Sequence, residues 1–370
     1  MSEDTAYMER ALELAAMARG RTSPNPLVGA VVVRDGEIVG EGYHQKAGTP
    51  HAEIHALRQA GEKAKNAVLY VTLEPCCHYG KTPPCTDAII RAGIKKAVVA
   101  VKDPNPLVAG KGIQALQDAG IEVSLGMLEA RARRLNEAFF KYMVERRPFV
   151  TLKAAMSLDG KIATSSGDSK WITGVEAREY VHRLRAENDA IMVGIGTVLA
   201  DDPLLTVRLP GEDRKPLRLV VDSGLRIPLT SRLVRTAREV PTVVAAAKGK
   251  CQAEKKEKLE SAGVEVWELP EEEGRVGLCS LLEELGKRGV LSVLLEGGST
   301  LNAAALAAGI VDKFIFFYAP KIIGGKGAPG PFGGTGINFL NDAIEIKELS
   351  WEKIGSDLML VCYPAKPTEE

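Results

Sequence analysis

The chain has 370 residues, enough for two or three domains. Lys+Arg and Asp+Glu each count 48, and a net charge of zero argues against a protein that coats nucleic acid while leaving room for a local basic pocket. With 45% hydrophobic and 26% charged residues the composition is that of a globular protein, and no apolar run approaches the roughly 18 residues of a membrane span.

Residues 3–19 read as an amphipathic helix, with Ala11, Leu12, Leu14, Ala15 and Ala18 on one wide face. The stretch carries acids early and lacks the basic and apolar regions of a signal peptide, so a cytoplasmic protein is expected. Ser23-Pro24-Asn25-Pro26 breaks the helix. Leu27–Val33 and Ile38–Tyr43 are strands around Arg34-Asp35-Gly36-Glu37, a hairpin signal. A helix from His51 to Ala60, a strand at Ala67–Thr72 and a Pro-rich loop at Glu74–Pro84 follow. Then come a helix at Cys85–Ala92, a strand at Lys96–Val101, a helix at Gly112–Ala119, a strand at Glu122–Ser124 and one long helix at Glu129–Val144. Strands alternating with helices predict a three-layer α/β domain that closes near Glu145-Arg146-Arg147-Pro148. The expected domains are therefore 1–147 and 148–370.

The pattern then restarts. Phe149–Met156, Ala190–Val193, Leu217–Val221, Thr242–Ala246, Ser292–Leu295 and Lys313–Tyr318 read as strands. Glu176–Glu187, Ala253–Ser261, Leu278–Lys287 and Thr300–Ala308 read as helices. Gly194–Pro203 and Pro320–Gly336 read as loops, and Ile344–Leu349 with Leu358–Cys362 as an antiparallel pair.

The chemistry concentrates between His51 and Cys85. This stretch holds His51, Glu53, Cys76 and Cys85 in a chain of six cysteines. Imidazole and thiolate suit zinc, and three protein ligands leave a fourth position for water, the catalytic rather than the structural arrangement. Glu53 is then available to shuttle protons. His-x-Glu with a later Pro-Cys-x-x-Cys is the signature of zinc nucleobase deaminases. Here eight residues separate Cys76 from Cys85, a longer loop. Cys85 follows Pro83-Pro84 and opens a helix, where the N-terminal dipole favours the thiolate. Cys251, Cys279 and Cys362 are scattered without ligand spacing and read as small buried hydrophobes. Lys46 and Lys81 are either partners for a small phosphate ester or solvated surface charges.

The segments SPNPLVGAVVV, GEGYHQKAG, HAEIHAL, YVTLEPCCHYGKTPPC and KDPNP resemble the deaminase half of the bifunctional riboflavin-biosynthesis deaminase–reductases, the RibD type. The long step from Cys76 to Cys85 is the form that this family takes. The resemblance implies His51, Cys76 and Cys85 as zinc ligands, Glu53 as proton shuttle, and Asn25, His44, His78, Lys81 and Asn105 as substrate contacts. Cys77 stands where the family usually has serine; it reads as a tolerated small residue, since a fourth thiolate would close the site.

In the second half, three loops stand out. Ser157-Leu158-Asp159-Gly160 follows a strand, at the edge where open α/β sheets bind ligands. Gly194-Ile195-Gly196-Thr197 is not a dinucleotide fingerprint, because Leu199 stands where a glycine would. Glu296-Gly297-Gly298-Ser299 before a helix is either a phosphate cradle or a plain tight turn. Together with DSKWIT and FYAPKIIGG these resemble the reductase half of the same family. The resemblance implies a cytidine-deaminase-like α/β/α domain followed by a dihydrofolate-reductase-like α/β domain that uses NADPH. It places Lys153, Asp201 and Glu296 around the reacting sugar, without deciding which donates the proton. It implies substrate contacts at Ser169, Arg185, Leu205, Arg208 and Glu296. It implies NADPH contacts at Ala155, Trp171, Thr197, Asp201, Ser223, Gly298, Ser299, Thr300, Leu301 and Asn302.

The expected function is deamination of a small phosphorylated diaminopyrimidine, then reduction of its ribosyl group. Neither nucleic acid nor membrane is expected as a partner, and a homodimer or homotetramer is the family expectation. A nucleic-acid base deaminase fused to an unrelated reductase is the nearest rival. A protein whose zinc only staples the fold is the rival of another class, and it predicts a closed four-ligand site.

Overall fold

The computed structural model describes residues 3–79, 83–106 and 108–365. The chain divides into two units, Met1–Arg146 and Arg147–Glu370.

In the first unit the elements run α1 (Glu3–Ala16), β1 (Gly29–Arg34), β2 (Glu37–Tyr43), α2 (Ala52–Ala60), β3 (Val68–Val71), α3 (Cys85–Arg91), β4 (Lys96–Val99), α4 (Lys111–Asp118), β5 (Glu122–Leu125), α5 (Glu129–Leu135) and α6 (Glu137–Glu145). Asp35 and Gly36, at φ 52° and 81°, make the two-residue turn that joins β1 to β2. The sheet order is β2-β1-β3-β4-β5, antiparallel up to β3 and parallel beyond it. Ala52, Ala56 and Ala60 of α2 pack with Leu69, Val71 and Ala97 of the sheet. That helix lies so close to β2 that a Cβ on Gly40 would come within 2.1 Å of the Ala56 carbonyl oxygen, and one on Gly42 within 2.4 Å of the Ala52 oxygen. Bare glycines on β2 thus fix the height of the helix that begins beside His51.

The single helix expected over 129–144 is two. Asn136 breaks it at φ −113°, ψ 23°. The cause is tertiary: its buried side chain pairs with the backbone of Leu27, accepting from N–H at 2.7 Å and donating to C=O at 2.8 Å. A pairing across 109 residues leaves no periodic trace in sequence.

The second unit runs β6 (Phe149–Ser157), α7 (Val175–Glu187), β7 (Ala190–Gly194), α8 (Ile195–Asp201), β8 (Leu217–Val221), α9 (Arg232–Arg235), β9 (Thr242–Ala247), α10 (Ala253–Ser261), β10 (Glu265–Leu269), β11 (Glu271–Glu272), β12 (Arg275–Val276), α11 (Leu278–Lys287), β13 (Ser292–Leu295), α12 (Ser299–Ala307), β14 (Lys313–Ala319), β15 (Ile346–Ile354) and β16 (Asp357–Pro364). Its main sheet has the order β10-β9-β8-β7-β13-β6-β14-β16-β15. The strands are parallel from β10 to β14 and antiparallel at β16 and β15. Apolar clusters cover both faces: Val150, Leu219, Val243 and Leu281 meet in one, and Ile191, Val220, Val244 and Leu259 in another.

In the second unit α8, α9, β10, β11 and β12 are elements that the sequence reading did not expect. The stretch Gly194–Pro203, read as a loop, contains α8, which Gly194 caps in extended conformation and Ile195 and Val198 anchor in the core. Glu265–Leu269, not expected as a strand, is β10, with only part of one face buried at the sheet edge. Arg218, inside an otherwise apolar strand, is fully buried. Its guanidinium donates to Thr236 and Thr242 hydroxyls and to the carbonyls of Leu204, Leu233 and Val240, and burial lowers its pKa to about 10.

Candidate functional site

In the first unit, His51 is the N-cap of α2, in extended conformation at φ −74°, ψ 165°. Cys85 is the first residue of α3, and Cys76 lies on the turn after β3. The Nδ1 of His51 is 3.2 Å from Cys85 Sγ and 3.6 Å from Cys76 Sγ. Ordinary Zn–N and Zn–S lengths in a tetrahedron give an N···S edge of about 3.5 Å. The three ligand atoms lie within 4.8 Å of one another, and Cys77 is not among them. The donor chemistry and the spacing therefore fit zinc. The Cys76 and Cys85 thiols are hydrogen-bonded to each other. The hydrogen bond from Cys85 pulls Cys76 down to about 4 against the effect of burial, and the same bond pushes Cys85 up.

Glu53, two residues past His51, is 3% exposed, and its Oε2 is buried with no hydrogen-bond partner. Burial, with the Cys76 charge beside it, pushes its carboxyl up to about 7. A carboxylate oxygen left bare inside a protein is costly unless a ligand or water meets it.

His44 and Asn25 come together on the same site. Nδ1 of His44 donates to the Pro50 carbonyl at 3.2 Å, which leaves Nε2 to accept from Asn25 Nδ2 at 3.1 Å. The His44 ring stands edge-on to His51, centroids 5.3 Å apart, and burial lowers its pKa. His78 is exposed near Asp103, and Asn105 N–H donates to Asp103 Oδ1 at 2.8 Å. Lys81 lies outside the described residues.

In the second unit, sheet register assembles the charges. Leu295 of β13 pairs with Leu152 of β6 and Met192 of β7, so Glu296 and Lys153, each one residue further on, sit side by side. Their Nζ–Oε2 distance is 3.6 Å. Arg185 of α7 grips Glu296 with Nε–Oε1 at 2.6 Å and Nη2–Oε2 at 3.0 Å. Burial alone would raise Glu296, but Arg185 and then Lys153 outweigh it and hold the carboxyl at about 2. Lys153 moves the other way: burial lowers its pKa, and Arg185 adds to that while Glu296 opposes it. Asp201 stands outside this triad, paired with Lys170 at 3.2 Å.

Arg208 meets no carboxylate at ion-pair distance among the described residues. It donates from Nε and Nη2 to His182 Nε2, at 3.3 and 3.2 Å. Burial, then the charges of Arg185 and Arg208, pushes His182 down to about 4, so it stays a neutral acceptor. The side chain of Leu205 is in the core at φ 51°, so any ligand contact there comes from main chain. Ser169 is half-buried.

Thr197 lies in the first turn of α8 and Gly298 caps α12; a Cβ on Gly298 would lie 3.7 Å from Thr197 Oγ1. Beyond Gly298, Ser299, Thr300, Leu301 and Asn302 form the first turn of α12. Asn302 is fully buried. Its Nδ2 donates to Pro331 C=O at 3.0 Å, and its Oδ1 has no partner. A Cβ on Gly297 would reach within 2.5 Å of that Oδ1. Bare glycines and the N–H groups of a helix start fit the phosphate end of a dinucleotide, whereas the Asn302 oxygen, an acceptor, would meet a donor such as a hydroxyl or amide. Ala155 is on β6, and Trp171 is exposed with Arg178 stacked 4.7 Å over its ring. The Ser223 hydroxyl already accepts from Val276 N–H at 3.1 Å.

Comparison with known proteins gives a family match in each unit. Residues 148–360 match the family described as the RibD C-terminal domain, and residues 1–101 match the cytidine and deoxycytidylate deaminase zinc-binding region. The riboflavin biosynthesis protein RibD of Aquifex aeolicus is 48% identical over 357 residues, covering 96% of this chain and 97% of its own. The chain belongs to the RibD family. RibD of Escherichia coli is 46% identical, covering 97% and 98%. A solved structure of Acinetobacter baumannii RibD superposes with a TM-score of 0.87 at 42% identity, covering 98% of this chain and 99% of that one. A Thermotoga maritima structure, described as a diaminohydroxyphosphoribosylaminopyrimidine deaminase/5-amino-6-(5-phosphoribosylamino)uracil reductase, gives 0.85 at 38% identity with the same coverage. The fold is thus the α/β architecture of the RibD family, a cytidine-deaminase-like N-terminal part followed by the RibD C-terminal domain.

Sequence reading of the sites missed Glu74, Asp103 and His182. Each works on backbone or on another side chain, and their only signal is proximity to a motif: Glu74 stands two residues before Cys76, and His182 three before Arg185.

Proposed function

We propose that the first unit removes the 2-amino group of 2,5-diamino-6-ribosylamino-4(3H)-pyrimidinone 5′-phosphate, and that the second reduces the ribosyl group of the product with NADPH, giving 5-amino-6-ribitylamino-uracil 5′-phosphate. The observation that carries this reading is one chain holding both a three-ligand zinc set with a buried acid beside it, one oxygen of which has no partner, and the Lys153–Glu296–Arg185 triad.

His51, Cys76 and Cys85 would hold zinc, which supplies a Lewis-acid position that makes water nucleophilic at neutral pH. Glu53 takes one proton as the water oxygen bonds to C2 and passes it to the ring nitrogen; it then carries the second proton, from the new C2 hydroxyl, to the amino group, which leaves as ammonia as C2 becomes a carbonyl. Asn25 and His44, fixed to one another, present polar edges to the pyrimidine. His78, Lys81 and Asn105 complete the substrate contacts in this reading.

In the second unit NADPH supplies the hydride to C1′ of the open-chain sugar. Ala155, Trp171, Thr197, Asp201, Ser223 and the start of α12 are its expected contacts. Lys153 is the proton donor we assign. Burial loosens its proton, whereas Glu296 is locked as a carboxylate and Asp201 is tied to Lys170. Arg208, with no carboxylate at ion-pair distance among the described residues, supplies a cation for the sugar phosphate, and Ser169, Arg185 and the Leu205 main chain orient the sugar.

The NADPH step fits a cytoplasmic enzyme, and among the described residues no helix is long and apolar enough to cross a membrane. A homo-oligomer is part of the reading. Strand β15 lies at a sheet edge with Leu349 and Trp351 63% and 70% exposed, a template for pairing with a second copy.

Mass spectrometry of the product tests the order of reactions. Without NADPH the protein releases ammonia and stops at the ribosylamino-uracil phosphate; added NADPH then adds two hydrogens. Reduction before deamination, or no ammonia at all, contradicts the proposal.

A further inference from the structure

Glu74 is 3% exposed and faces no cation at ion-pair distance among the described residues, yet its carboxylate is fully used. Oε1 accepts from the N–H of Gly112 at 2.9 Å and of Ile113 at 3.1 Å. These are the second and third residues of α4, the N–H groups that an N-cap side chain normally satisfies. The N-cap here is Gly110, which has no side chain and sits at φ 89°. Glu74 therefore caps α4 from another segment of the chain. Oε2 accepts from Gly110 N–H at 2.9 Å and from Asp103 N–H at 3.2 Å. One carboxylate thus closes both ends of the 103–110 loop and fills its four lone-pair sites.

The fit is tight. A Cβ on Gly112 would come within 2.1 Å of the Pro75 carbonyl oxygen and 3.2 Å of Glu74 Cγ. Pro75 leads directly into the ligand Cys76. The polar relay continues outward, because Asp103 Oδ1 accepts from Asn105 N–H at 2.8 Å.

We propose that Glu74 is a positioning residue of the deaminase site, whose carboxylate holds the 103–113 segment, and with it Asn105, in fixed register on the turn that carries Cys76. This rests on the reading of Asn105 as a substrate contact. Glu74 touches neither metal nor substrate in this assignment. It acts through Asp103, and its loss would let the loop sample positions from which Asn105 misses the pyrimidine. Glu74→Gln keeps the volume but turns an amide NH2 toward two N–H donors, so one end of the clamp opens.

Three measurements on the full-length zinc enzyme test this, with Glu74→Gln and Asn105→Ala compared with wild type. They are deaminase KM and kcat for the diaminopyrimidine phosphate, bound zinc per chain, and hydrogen exchange at the amides of Asp103, Gly110 and Gly112. NADPH-dependent reduction of the deaminated intermediate reports on the rest of the chain. We expect Glu74→Gln to raise KM about tenfold with kcat within about threefold, to retain zinc, to lose protection at those amides and to leave the reduction step unchanged. Asn105→Ala should raise KM comparably with those amides still protected. If Glu74→Gln lowers stability or kcat with KM unchanged, Glu74 is only a helix cap and the proposal fails. If the variant loses zinc, Glu74 serves the ligand turn and the assignment to substrate positioning is overturned. If Asn105→Ala leaves KM unchanged, the substrate reading of the loop fails and takes the proposal with it, whatever Glu74→Gln does.

Discussion

Arg185 and Glu296 face each other in a two-point grip, with Nε–Oε1 at 2.6 Å and Nη2–Oε2 at 3.0 Å, and neither side chain is more than 13% exposed. Lys153 leans on the same carboxylate at 3.6 Å. Two cations thus share one buried anion, and the local surplus is positive. A site with that balance, and with Arg208 nearby meeting no carboxylate at ion-pair distance among the described residues, favours a phosphorylated, anionic sugar.

Removing the anion should be severe. Glu296→Gln leaves Arg185 and Lys153 buried without a counter-charge, and breaking such a pair costs about 3–5 kcal/mol. Urea unfolding at neutral pH should show that loss, and a change under about 1 kcal/mol would mean that the site is far wetter than its burial indicates.

Stability of the second unit should depend on acid. The Glu296 carboxyl sits at about 2 in the folded protein against 4.5 ordinarily. A depressed carboxyl contributes fully above the ordinary value, and the contribution fades as pH falls from 4.5 toward 2. Unfolding followed by tryptophan fluorescence, with Trp171, Trp267 and Trp351 all in the second unit, should therefore steepen with acid across that window in the wild type, and less so in Glu296→Gln.

The reduction step should fail at alkaline pH. Burial lowers the Lys153 pKa, so the ammonium needed for proton donation is lost below the ordinary lysine value of 10.5. Because Glu296 raises that pKa, Glu296→Gln should shift the alkaline limb of the pH–kcat profile to lower pH. A limb that stays in place would point to a different proton donor.

Chelation should separate the two activities. Dialysis against a strong zinc chelator removes the ion from His51, Cys76 and Cys85, and ammonia release should stop while reduction of the supplied intermediate continues. Cys85→Ser should weaken zinc retention, measured by metal analysis, whereas Cys77→Ser should not, since Cys77 lies outside the ligand cluster.

The elements that local pattern controls were legible in sequence. The Asp35-Gly36 hairpin, the helix behind His51 and the closing β15–β16 pair follow from turn residues and apolar period. The His51, Cys76 and Cys85 cluster, which could hold a metal ion, was legible because three soft donors in so short a stretch are rare. What sequence hid is long-range. Asn136 divides a helix because its amide pairs with Leu27, and Arg218 lies in the core because two hydroxyls and three carbonyls converge on it. Strand β10 was obscured by its own charges, Glu265 and Glu268, which an edge strand tolerates. Within the reductase site, sequence grouped Lys153, Asp201 and Glu296, but only sheet register shows which two meet.

The most direct measurement follows ammonia release and NADPH oxidation in wild type, Glu53→Gln and Lys153→Ala, giving each protein first the diaminopyrimidine phosphate and then the deaminated intermediate. Glu53→Gln should lose ammonia release by at least about a hundredfold yet oxidise NADPH normally on the intermediate. Lys153→Ala should release ammonia normally and lose NADPH oxidation. If both activities survive both substitutions, or if either substitution abolishes both, the chain does not work as two separate catalytic sites built on these residues.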